Sequence, residues 1–303
     1  MVSKYSYQGA LETAERINWR VEDIIGGEKR LDFTKPFMPE SLAQVRGLSF
    51  LSPAEQRVLN QVRGHEYLAM FGLVEEFILP YVIDHARPKL SGDDYQVRAL
   101  LQFAGEEAKH IHLFKRFREE FESGFGGRCE FIGPAEEVRN FVLSHSPLGV
   151  AIAILHIEWI TLRHYIEGVR DNQDLDPQFK SLLKHHWLEE SQHTKLDTLI
   201  VQELAGSATT KEIEQAFQEY GEIGNFIDQG IGQQAQFNVE AFIEATGRNL
   251  NGSERQTMSD AMLKGMRWTY LGTGMTHPNF LETVETIKPG AKNQIESMAP
   301  AFC

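Results

Sequence analysis

Cysteine is nearly missing from this 303-residue chain. The two present, Cys129 and Cys303, form no CxxC pair, which excludes a disulfide framework, a structural zinc knuckle and a thiolate-held iron–sulfur cluster. Basic residues are scarce as well: 30 Lys and Arg stand against 43 Asp and Glu, a formal charge of −13. Nucleic-acid and anionic-membrane surfaces need clustered cations, so neither partner is expected. A long apolar run is also lacking. The most apolar stretch, Leu148 to Leu162, is broken by His156 and Glu158 and flanked by Arg163 and His164, whereas a bilayer span needs about 20 mostly apolar residues. The opening Met-Val-Ser-Lys-Tyr-Ser-Tyr has no basic region followed by an apolar one, as a signal peptide would. A reducing, cytoplasmic setting is the expectation.

Strand signals are absent too, with no alternating β-branched run flanked by Asn-Gly or Asp-Gly, so the expected class is all-α. What the chain does contain is 42% hydrophobic residues, enough for a large core, arranged at spacings of three and four. Helix starts recur. Ser52-Pro53-Ala54-Glu55 is a capping box with Pro at the first helical position, and Ser146-Pro147 and Asp176-Pro177 repeat the cap-then-Pro order. Thr209 with Glu212 and Ser253 with Gln256 read as further boxes. Four long helices are predicted, over about 53–86, 94–123, 147–171 and 177–205, with a short one near Ala135 to Ser144 on the path between the second and third. Two tight hairpins joined by one long crossover is ferritin-like connectivity. The expected organisation is one domain over 1–303, a four-helix core at about 53–205 with additional N- and C-terminal helices. Residues 1–52 show no clear period, and 209–303 predict two or three helices wrapping the core.

The second and fourth helices carry the same spacing, Glu107-Ala-Lys-His110 and Glu190-Ser-Gln-His193. Positions i and i+3 share a helix face, so a carboxylate and an imidazole can reach one metal ion. Both motifs sit on apolar faces, with Leu100, Phe103 and Phe114 around the first and Leu196 and Ile200 near the second. An unpaired carboxylate costs several kcal/mol in such surroundings, and no Lys or Arg is placed to neutralise it. The third helix adds Glu158 within Ile154-Leu155-His156-Ile157-Glu158-Trp159-Ile160, and the first adds Glu75 or Glu76. Glu158 precedes Glu190 by 32 residues and Glu75 precedes Glu107 by 32, so Glu75 is preferred over Glu76.

A Glu on each of two helices plus Glu-x-x-His on each of the other two resembles the ferritin-like di-iron and di-manganese carboxylate proteins. His186, four residues before Glu190, adds a third histidine to the stripe. In that respect the chain resembles the p-aminobenzoate N-oxygenase family over roughly residues 60–200. The expected metal ligands are Glu75, Glu107, His110, Glu158, His186, Glu190 and His193, with no further catalytic side chain assigned. Asp197 is a candidate to orient His193, and His112, His156 and His164, out of phase with the stripes, read as core or supporting residues.

Four carboxylates and three neutral imidazoles sum to −4, which balances two ferrous ions. Oxygen and nitrogen donors without thiolate suit iron first and manganese second. The expectation is therefore a di-iron oxygenase that activates O2, taken as co-substrate, and oxygenates a small organic molecule. The resemblance narrows this to N-oxygenation of an arylamine. Without flavin, dinucleotide or iron–sulfur motifs, electrons are expected from a separate reductase or diffusible donor, and a homodimer is expected. The competing reading is a ferritin- or rubrerythrin-like iron-binding or peroxide-scavenging protein, against which stand the roughly 95 residues spent on C-terminal helices. A metal-free interaction protein would leave four buried glutamates unpaired.

Overall fold

In the computed structural model, which describes residues 3–302, every regular element is helical. Only an isolated bridge, Gly26 to Lys29, departs from this among the described residues. The helices run α1 (Tyr7–Ala14), α2 (Glu40–Ala43), α3 (Pro53–Ala86), α4 (Asp94–Phe125), α5 (Ala135–Leu143), α6 (Pro147–Arg163), α7 (Pro177–Ser207), α8 (Thr210–Thr246), α9 (Gly252–Arg267), α10 (Thr273–Met275), α11 (Pro278–Ile287) and α12 (Ala291–Met298). None is long and apolar enough to cross a membrane. Cys129 is a free thiol, while Cys303 lies outside the described residues.

The starts follow from local chemistry. Ser52 and Glu55 reciprocally cap α3, and Thr209 and Glu212 cap α8; Ser146 and Asp176 accept from Gly149 and Phe179 at the heads of α6 and α7. These satisfy amide groups that a helix end leaves without partners. The box expected at Ser253 and Gln256 is instead formed two residues earlier. Asn251 caps α9 reciprocally with Glu254, because an Asn side chain reaches the third amide as well as Ser does and already has a Glu at the matching position.

Helices α3 and α4 form one hairpin and α6 and α7 another, joined by the crossover through Gly126 and α5: a ferritin-like four-helix bundle. Its third helix ends as an α-helix at Arg163 and continues as a π-helical turn over His164–Val169. A second π turn, Trp268–Gly272, links α9 to α10. The C-terminal part is richer than expected: α8 packs on α3 and α6, α9 on α8, and α11 on α6 and α7.

The N-terminal segment, opaque in the sequence, is stitched to the bundle by side-chain amides. Asn60 accepts from the amides of Phe37 (2.8 Å) and Met38 (3.0 Å) and donates to the Met38 carbonyl (2.7 Å). Gln61 donates to the carbonyls of Phe33 and Lys35, each at 2.8 Å. Phe37 packs so tightly on α3 that a Cβ at Gly64 would lie 2.9 Å from its own Cβ, so only glycine fits there.

Candidate metal centre

All seven residues expected as ligands are buried, none more than 2% exposed, and they converge between α3, α4, α6 and α7. Glu75 and Glu76 point in different directions. Glu75 Oε1 lies 3.1 Å from His186 Nε2, whereas Glu76 is partly exposed and faces Arg139 at 3.8 Å. His186 Nε2 also lies 2.7 Å from Glu190 Oε1. His193 Nδ1 stands 2.8 Å from Glu107 Oε1 and 3.0 Å from Glu190 Oε2, and His110 Nδ1 is 3.0 Å from Glu190 Oε1. Two overlapping groups of donor atoms result: Glu75, His110, His186 and Glu190, and Glu107, His110, Glu190 and His193. Glu158 belongs to neither tight group; it faces Glu190, within hydrogen-bonding reach once one of the two carries a proton.

Closeness here is not pairing. Both oxygens of Glu107, Oε1 of Glu190, Oε2 of Glu75, Oε2 of Glu158 and Nδ1 of His110 are buried and lack a hydrogen bond of acceptable geometry. Ordinary protein interiors satisfy nearly all such atoms. A set of carboxylate and imidazole lone pairs aimed into a common space, with no thiolate, is the donor chemistry of a hard to intermediate divalent cation such as iron or manganese. The donors present fit a pair of such ions.

Electrostatics separates the groups into two kinds. Burial first, then the neighbouring carboxylates, hold Glu75 and Glu158 well above the usual carboxylate range. Glu107 is also penalised by burial, but contact with Glu75, the charge of His193 and contact with His110 bring it below its ordinary value. Glu190 is likewise held down by His186 and His193 against the cost of burial. Against the same cost, the close carboxylates of Glu107, Glu189 and Glu190 raise His110, and the charges of Glu190 and Glu107 raise His193. Burial dominates at His186 and lowers it. Without metal, then, two carboxyls and two imidazoles retain protons, and the cluster is neutralised by hydrogen ions instead of cations.

Two contributors were overlooked in the sequence. His110 Nε2 is 2.9 Å from Glu189 Oε2, and His193 Nε2 is 2.9 Å from Glu106 Oε2. Each outward ring nitrogen is therefore met by a glutamate of the opposite helix, which leaves Nδ1 directed inward. Lys109 and Gln102 in turn hold Glu189 and Glu106. The signal was present as a doubled glutamate, Glu106-Glu107-x-x-His110 and Glu189-Glu190-x-x-His193. Asp197 does not take the role expected for it. Its buried carboxyl has no hydrogen-bond partner, and burial pushes it well above the usual carboxylate range.

The other histidines divide. His112 is half exposed beside Glu22, a surface residue and not a core one. His156 bonds Tyr220 Oη at 2.8 Å, and His164 lies 3.1 Å from both Tyr67 Oη and Thr273 Oγ1; both are buried away from the cluster. Aromatic rings wall the centre: Phe103 stacks on His193 at 4.0 Å, Phe114 meets His186 edge-on at 5.0 Å, and Trp19 from the N-terminal segment lies parallel to His110 at 6.3 Å.

No family model matches the chain, and no curated protein does. Among solved structures, an R2-like ligand-binding oxidase with an aerobically reconstituted Mn/Fe cofactor overlays with a TM-score of 0.48 at 13% identity, covering 88% of this chain and 92% of that one. A glycine-to-leucine variant of an R2-like ligand-binding oxidase with an Fe/Fe cofactor gives 0.48 at 14% identity, over 88% and 93%. At TM-scores below 0.5 these likenesses carry no chemistry over to this chain.

Proposed function

We propose that this protein is a di-metal oxidase, with iron as the first choice of metal and manganese the second, that uses O2 to oxygenate a small organic substrate. The observation that carries the reading is the set of buried, unpaired carboxylate and imidazole atoms pointing at one another from four helices. Glu75, Glu107, His110, Glu158, His186, Glu190 and His193 would hold the ions. When bound, two ferrous ions would supply electrons to dioxygen at a site from which bulk water is excluded.

The protein's own contribution is positional and electrostatic. Glu106 and Glu189 fix the tilt of His193 and His110, so the inward nitrogens are presented without a search through rotamers. Glu190 and His110 belong to both donor groups, and Glu190, with two carboxylate oxygens, would serve as a ligand on either side. Glu158, protonated in the metal-free protein and close to Glu190, can shed its proton as charge arrives. Phe71, Phe103 and Phe114 keep the imidazoles dry. Three imidazoles make the donor set rich in nitrogen, which favours passing oxygen to an electron-rich atom, and we assign the substrate as an amine, in keeping with the N-oxygenase resemblance. Electrons would come from a separate reductase or diffusible donor.

The test is anaerobic loading with Fe(II), followed by air and a panel of arylamines. An oxidase of this type binds two irons per chain, consumes O2 in proportion to product and yields an N-oxygenated amine. Iron uptake with continued mineral accumulation and no organic product would instead support the storage reading.

A further inference from the structure

A cavity of about 290 Å³ lies beside the bundle, between α3, α6, α8 and the segment entering α5. Its walls are apolar, formed by Phe71, Val74, Ile157, Ile160 and Ile227 among others. Of its polar residues, Glu137, Gln229 and Gln233 are exposed at the mouth, whereas Tyr270 is buried and donates its hydroxyl to Glu66. An apolar cavity of about 150 Å³ holds one benzene ring, so this one takes a molecule about twice that size. Its inner wall adjoins the metal centre. Val74 and Ile157 directly precede Glu75 and Glu158 in sequence, and Phe71 lines the cavity while its ring centroid lies 5.9 Å from that of His186.

No Lys, Arg or His lines this cavity. The nearest groove with cations, containing Lys115, Arg118 and Arg128, lies beyond Leu73 and the Ile132–Pro134 segment. There Arg128 and Arg118 already face Glu130 (2.8 Å) and Glu122 (3.9 Å). The positive end of α5 meets the same mouth, but Glu136 and Glu137 occupy its first turn and answer that charge. A carboxylate entering here would find an anion and two amides, and no cation.

We infer that this cavity is the substrate site, and that it selects a molecule with an uncharged, largely apolar leading end, a neutral arylamine for the reaction proposed above, and an uncharged or cationic tail at Glu137, while rejecting a carboxylate tail. Its role in turnover rests on the oxidase reading above; its binding preference does not. A benzoate-type substrate, which the family resemblance would suggest, is thereby disfavoured.

Calorimetric titration of metal-free and metal-loaded protein with 4-phenylbutylamine and 4-phenylbutyrate tests this. The amine is expected to bind about fivefold or more tightly than the carboxylate, the scale of a partly exposed charge contact and its reversal. Glu137→Lys, at an exposed site that tolerates substitution, should reverse the order. Gly230→Leu should weaken the amine about tenfold by filling the mouth. A side chain there first meets the mobile Ile132 Cδ1, at 2.9 Å from an added Cβ, and leucine favours the helix, so folding is retained. Equal or tighter binding of the carboxylate, no amine binding, or indifference to Gly230→Leu would overturn the assignment. Amine binding that survives in a protein unable to take up metal would sink the oxidase reading alone, whereas metal uptake without amine binding would sink the cavity alone.

Discussion

Helix α3 buries charge in two places, and they are resolved in opposite ways. Near its start, Arg63 and Glu66 are 1% and 0% exposed and complete each other. Arg63 pairs with Glu66 and donates to the Leu42 carbonyl (3.1 Å) and Thr269 Oγ1 (3.2 Å), while Tyr270 donates to the other Glu66 oxygen. Burial lowers the Arg63 guanidinium only to about 10, so the pair stays charged and only Nε is left over. About two and a half turns further on, Glu75 meets three more carboxylates, and the ion pairs these acids make are all with imidazoles. The first site is a finished structural contact. The second is balanced only by protons, which cations can displace, and that difference separates a buried salt bridge from a metal site.

The comparison breaks most sharply at Glu66. Glu66→Ala leaves a buried guanidinium unpaired and should cost about 3–5 kcal/mol of stability, read as a lower denaturant midpoint. Metal stoichiometry in the folded fraction should be unchanged. At the other site the sign differs. Glu75→Gln replaces a carboxyl that is already protonated, so the metal-free protein should hold its stability within about 1 kcal/mol while losing metal affinity. If Glu75→Gln destabilises the metal-free protein as much as Glu66→Ala does, the two sites are of one kind and the distinction fails.

A smaller effect sharpens the same contrast. Glu106→Gln and Glu189→Gln each keep a hydrogen-bond acceptor but remove the charge behind a ligand histidine, and each should weaken metal binding about 10- to 100-fold in equilibrium competition with a chelator. Asp197→Asn, which touches neither histidine, should not. Equal losses at Asp197 would restore the role that the sequence suggested for it.

The smallest effect is on pH dependence. Glu75 and Glu158 are raised by burial, and His110 and His193 by their carboxylate partners. All four hold protons in the folded state that the unfolded chain gives up sooner. The histidine contribution is complete below the ordinary imidazole value near 6.5 and is lost as pH rises through the raised folded values. The two raised glutamates penalise folding as pH climbs above about 4.5, so both act in the same direction. Between about pH 7.5 and 9, above the range where the histidines that burial holds below their ordinary value (His65, His85, His156, His164, His186 and His277) act in the opposite direction, the metal-free protein should melt at progressively lower temperature, and the metal-loaded protein, its ligands already deprotonated, should change less. A metal-free melting temperature that rises over this range would contradict the assigned protonation states.

How much of this was legible in the sequence depended on the range of the interaction. The capping boxes at Ser52 and Thr209 are encoded within four residues, and the structure forms both; the Glu-x-x-His pairs are encoded over the same short range, and the structure buries them. The equal spacing of Glu75 to Glu107 and Glu158 to Glu190 picked out Glu75 because both hairpins are built to one length. Where a side chain's partner lies far along the chain, the sequence was silent. Asn60 and Gln61 look like ordinary helix-surface residues, yet they hold residues 33–38 through bonds spanning more than twenty positions. The exchange of Glu106 and Glu189 between opposite helices is of this kind, visible only as a repeated extra glutamate. The π turns after Arg163 and Arg267 shift side-chain phase by one residue without any distinguishing composition, which is why the third helix was expected to run smoothly to about 171.

The central claim is that divalent cations take the place of the protons now shared by these inward-facing acids. Anaerobic titration of metal-free protein with ferrous ion in weakly buffered solution reads ion uptake and proton release together. The account predicts an endpoint of two ions per chain, accompanied by release of the protons held on Glu75, Glu158, His110 and His193. Absence of uptake, or uptake without proton release, would contradict it.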